Sequence, residues 1–190
     1  MDEARFARAI AAIDAANAED PQHARVAEAG RVTAWIRRLR PDASEELLLA
    51  ARAHHIRRWT IPRSAYPDGR KGYLIWRRAL HDFHAAEAGC IMAAENYDAK
   101  AIQRVQEIIH KQDLAHDGDV QALEDALCLV FLETEFHALA ARLDSGKMIE
   151  VLRKTLRKMS PEGKALALGI ETPAGDRALL EQALTEQETK

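Results

Sequence analysis

Apolar residues recur along this chain at intervals of three and four, with polar residues filling the opposite side of each turn. Phe6, Ala9, Ile10 and Ile13 form one such stripe, which predicts a helix over 3–18 closed by Asp20-Pro21. Val26, Val32, Trp35, Ile36 and Leu39 form a second over 21–39. Ser44 followed by Glu45 and Glu46 signals a third start, and Leu47, Leu48 and Leu49 make that helix apolar around most of its circumference. Ile61-Pro62, Tyr66-Pro67 and Asp68-Gly69 predict a loop. Helical spacing then resumes over 71–96, from the Asp98 cap to His110, over 120–142 and over 147–159, and Ser160-Pro161 opens a shorter helix. No segment alternates with a period of two. The pattern predicts an all-α fold, a single-domain helical bundle over 1–170 with a polar helix or tail over 171–190.

Composition narrows the function classes. At 190 residues and 47% hydrophobic, the chain is long enough for a substantial core. A net charge of -3 and a pI near 6.2 argue against a general nucleic-acid binder. Cys90 and Cys128 lie in apolar helical contexts without a CxxC pair, as small hydrophobes in a reducing compartment. The N-terminal residues carry early acids, and the longest apolar run, 126–132, is too short for a span. A cytoplasmic protein without membrane partners is expected.

Against that background, the segment 54–87 stands out. It holds four of the eight histidines, two of the three tryptophans and two of the three tyrosines. From Arg52 to Arg78 there are eight Lys or Arg and one acid, Asp68. Imidazoles bind metals or move protons, and guanidinium groups grip phosphate in two prongs, so this mixture predicts a site for an anionic ligand. His84 and Glu87, three apart, share a helical face in a spacing used by carboxylate metal sites. Asp125 shares a face with Cys128, Leu129, Leu132 and Phe136. A carboxylate there needs a salt bridge, a hydrogen bond or a metal to offset its burial.

The run from His84 through Asp125 is similar in layout to the second half of the HD-domain phosphohydrolases, and LAARAHHIR resembles the stretch that carries their His-Asp doublet. On that likeness His54 takes the His position and His55 the Asp position, and Arg31 stands where an upstream His is expected. The resemblance implies an HD-like core. At closer range AIDAANAEDP, HIRRWTIPRSAYPDGRKGYLIWR, LEDALCLVFLE and KTLRKMSPEGKALAL resemble the domain of unknown function 4202 family, which brings no established activity.

Together these readings predict a protein that binds a phosphorylated small molecule or nucleotide, with phosphoester hydrolysis as the reaction if it is an enzyme. His55, His84 and Asp125 are the expected ligands of a divalent metal, with Glu87 and His110 in proton transfer or behind the ligands. Arg57, Arg58, Arg63 and Arg77 are the expected phosphate arms, and the loop over 61–72 is expected to bring Arg63 to the rim. Two alternatives remain open: a non-catalytic relic of the HD pocket, and an RNA-binding protein that stacks bases on Trp59, Tyr66, Tyr73 and Trp76 beside the arginines of 52–78.

Overall fold

The computed structural model of the protein describes residues 2–188, with side chains as far as Thr185. The described residues are helical and contain no strand. Their contacts group into two units, 1–123 and 124–190.

The first unit contains α1 (Glu3–Ala18), α2 (Arg25–Leu39), α3 (Glu45–Ala53), α4 (Gly69–Ala94) and α5 (Ala99–His110). Asp2, Ser44 and Asp98 cap α1, α3 and α5 by accepting the N–H of the residue three positions on. Helix α3 is the axis of this unit. Leu47, Leu48, Leu49, Ala50, Ala51 and Ala53 are all buried, against α1, α2, α4 and α5. The start of α2 falls four residues later than the apolar stripe predicts. Asp20 is the reason: its buried carboxylate accepts from the N–H groups of Gln22, Ala24 and Arg25, and so holds a turn where a helix would otherwise begin.

Between α3 and α4 the loop is folded tightly, with single 3-10 turns at Arg58–Thr60 and Arg63–Ala65. A Cβ at Gly72 would lie 1.8 Å from the Pro67 carbonyl oxygen, so only glycine permits this close return of the chain. Arg57 adopts the left-handed conformation, φ 48°, which turns the chain sharply out of α3.

Helix α6 (Gly118–Thr134) contains the boundary between the units. Thr134 Oγ1 donates to the Val130 carbonyl, and the long helix expected over 120–142 gives way to α7 (Phe136–Ala140). The second unit continues with α8 (Ser145–Leu156), α9 (Pro161–Leu168) and α10 (Ala174–Glu188), and α10 packs on α7, α8 and α9. No helix of the described residues is long and apolar enough to cross a membrane.

A candidate metal centre of glutamate and histidine

The end of α3 is where the first unit concentrates its chemistry. His54, the C-cap of α3, is buried, and its Nδ1–H donates to the Ala51 carbonyl at 2.8 Å. A carbonyl only accepts, so Nδ1 carries the proton and the lone pair of the neutral ring lies on Nε2. His84, fully buried on α4, repeats the arrangement: its Nδ1–H donates to the Ile56 carbonyl at 2.8 Å. The Nε2 atoms of both rings are buried without a hydrogen-bond partner. Ring centroids lie 4.2 Å apart for His54 and His55, and 5.7 Å apart for His55 and His84.

Helix α2 supplies the carboxylate. Glu28 Oε1 accepts from His55 Nδ1 at 2.8 Å and lies 3.7 Å from His54 Nε2, while Glu28 Oε2 pairs with Arg25. Glu28, His54 and His55 each offer one ligand atom within 4.8 Å of the others, a possible metal-binding triad. Burial raises the Glu28 carboxyl, but the neighbouring imidazoles of His54 and His55 outweigh it and hold the group well below the usual carboxylate range. Burial first, then the neighbouring His54, pushes His84 down to about 3, against the pull of the Ile56 carbonyl. His55 is lowered too, by burial first and then by His54. Ionised carboxylate and neutral imidazoles are the protonation states that a divalent cation requires.

The other residues singled out in the sequence are distributed as follows. His55 and His84 come together at this cluster. Glu87 accepts from Arg57 at 2.8 Å, and Arg57 also grips Glu19 with two nitrogens. His110 Nε2 lies 3.1 Å from Asp82 Oδ1. Arg63 donates to the carbonyls of Tyr66 and Gly69, so it fastens its own loop. Arg58 lies over the Trp76 ring at 4.9 Å, and Trp76 Nε1 donates to the Ile61 carbonyl. Arg77 reaches the Tyr73 hydroxyl at 3.4 Å.

Asp125 belongs to the second unit, where its carboxylate accepts from Ser160 N at 2.8 Å and from Ser160 Oγ at 2.5 Å. Ser160 in turn caps α9, and a Cβ at Gly163 would come within 2.7 Å of the Asp125 carboxyl carbon. This buried acid is built into the start of α9.

Sequence reasoning did not list Glu28 or His54 among the ligands. Glu28 precedes Val32 by four and Ile36 by eight, and both are buried on α2. The test that singled out Asp125, an acid on an apolar stripe, would have found it.

These features describe an all-α protein with a partly buried Glu/His triad that could hold a metal ion. The chain belongs to the family described as Domain of unknown function (DUF4202), whose model matches residues 7–180. No curated protein and no solved structure matches it.

Proposed function

We propose that this protein is a metal-dependent phosphohydrolase of HD-like character, with a divalent cation held by Glu28, His54 and His55 and with His84 facing the same cluster. One observation carries the reading: the imidazoles of His54 and His84 are locked by backbone carbonyls, and each leaves a buried Nε2 without a partner. A lone buried acceptor costs free energy, and metal-ligating histidines characteristically donate their other N–H to a carbonyl or carboxylate. Nitrogen and carboxylate donors together suit zinc, manganese, iron or nickel.

When bound, such a cation supplies Lewis acidity and a water acidified toward neutrality. Around it, Glu28 contributes charge, and Arg25 fixes the orientation of its carboxylate. His55, 30% exposed along its side chain, is the most exposed of the three and leaves the cluster open to solvent on its side. The guanidinium groups of Arg58 and Arg77 lie on the loop and first turns that follow α3, and give the neighbourhood the positive charge that favours a phosphoester over a neutral ester.

Elemental analysis of the purified protein, then metal titration of the chelator-stripped form, tests this. One divalent ion per chain is expected, with turnover of an aryl phosphate that needs the ion. Glu28→Gln should lose both. A stripped protein that binds no transition metal would sink the proposal, and metal binding without turnover of any phosphoester would leave a binding module.

A further inference from the structure

Four arginines of the segment after α3 looked equivalent in the sequence, and in the fold they are not. Arg57 is neutralised by Glu19 and Glu87, and Arg63 is consumed by two carbonyls of its own loop. Arg77 has one long contact, to the Tyr73 hydroxyl. Arg58 differs again. It is half-buried, with its Cζ 4.9 Å from the Trp76 ring centroid, and its guanidinium makes no hydrogen bond or ion pair with any described side chain or carbonyl. Its surroundings are cationic as well as acidic: Arg25 and Arg77 act on it beside Glu28. Arg25 is already engaged by Asp20 and Glu28.

An unpaired, partly desolvated guanidinium is costly to keep, and its planar fork fits two oxygens of a tetrahedral anion. The ring beneath it is itself pinned, because Trp76 Nε1 is tied to Ile61, so the cation is held in place before any ligand arrives. Tyr73, 42% exposed and 5.9 Å from Trp76 between ring centroids, extends the same platform toward solvent.

We propose that Arg58, carried on Trp76 and backed by Arg77, forms an anion subsite for the phosphoryl dianion of the substrate, and that this subsite exists without the metal. The identity of the anion rests on the phosphohydrolase reading above; the subsite itself does not. Arg57 and Arg63 take no part in it.

Calorimetric titration of the full-length, chelator-stripped protein with inorganic phosphate, and separately with phenyl phosphate, is the experiment. Both ligands should bind with stoichiometry near one. Arg58→Gln should weaken both at least about 10-fold, Arg58→Lys should recover only part of the loss because the planar two-pronged fork is gone, and Arg63→Gln should change neither. Circular dichroism melts of the variants guard against loss of fold. Equal phosphate affinity in the wild type and Arg58→Gln, or no phosphate binding by the stripped wild type, overturns the subsite. The two proposals separate cleanly. Phosphate binding lost in Arg58→Gln while no metal ever binds would leave the subsite standing and remove the metal centre. Metal binding retained in wild type and variant, with phosphate ignored by both, would do the reverse.

Discussion

Both units bury polar side chains among apolar ones, and the buried histidines of the first are paired less completely than the buried acids of the second. In the second unit Asp125 is held by Ser160, Glu124 faces Lys158 at 3.4 Å, and Asp176 faces His137 at 2.7 Å. Each acid has a local counterpart within the unit, at a helix start or across a helix pair. In the first unit His54 and His84 are both buried, each half-satisfied by a carbonyl, and each retains an unmatched Nε2, that of His54 lying 3.7 Å from the Glu28 carboxylate. Burial alone does not separate the two sets. Incomplete pairing of adjacent imidazoles does, since an unmet buried acceptor costs free energy.

The contrast is open to direct attack. The largest effect is expected from His54→Gln. Metal affinity should fall on the order of 1,000-fold, equivalent to about 4 kcal/mol. The stripped protein should melt at the same temperature or higher. A melt several degrees lower would make His54 a packing residue.

Asp125→Ala should behave the other way round. Removing the carboxylate leaves Ser160 and the start of α9 without their acceptor, so stability should fall by about 3 kcal/mol in urea titration. Metal content should be unaffected. Loss of metal at unchanged stability would place Asp125 in the site and erase the distinction between the units.

Acid should distinguish the regions next. His84 is depressed to about 3 in the folded protein, below its value of 6.5 in the unfolded chain, so the unfolded chain takes up the proton first. Its contribution to stability is whole above the unfolded value and shrinks as pH falls toward the folded one. Between pH 7 and 5 the stripped protein should lose about 2 kcal/mol from this group. His55, shifted in the same direction, adds to the loss. Urea midpoints measured in chelator at several pH values check this, and His84→Asn should flatten the slope. A wild-type profile already flat would mean that the buried imidazole takes up its proton as readily as in the unfolded chain.

Arg63→Ala is the smallest change, about 1 kcal/mol or less, since its hydrogen bonds run to partly solvated carbonyls. Metal and phosphate binding should be intact. A variant that folds normally yet loses phosphate would return Arg63 to the ligand.

How far these features were legible in the sequence follows from how local their causes are. The span of α1, the Ser44 and Asp98 caps and the Ser160-Pro161 start are set by residues within one turn of each other, and the sequence alone suffices for them. The delayed start of α2 is also local, but it depends on Asp20 outcompeting the helix for three N–H groups, which an apolar stripe does not report. The cluster at the end of α3 required contacts over longer range. His55 and His84 were visible as imidazoles in an unusual segment. The meeting of His55 with Glu28 depends on α2 packing against α3, and the bond spans 27 positions. Asp125 was rightly seen as anomalous, but its partner, Ser160, lies 35 residues later in a turn whose capping role was already plain. The sequence showed both halves of that interaction and nothing to join them.

The carbonyls that lock His54 and His84 have an evolutionary consequence. Ala51 and Ile56 offer those oxygens from the main chain, which every amino acid possesses. A point mutation at either position changes packing without deleting the acceptor. The orientation of both rings is thus insulated from drift in a way that a carboxylate partner's would not be. Lineages could rework the arginines and the loop for new ligands while the pair of imidazoles keeps its tautomer unchanged.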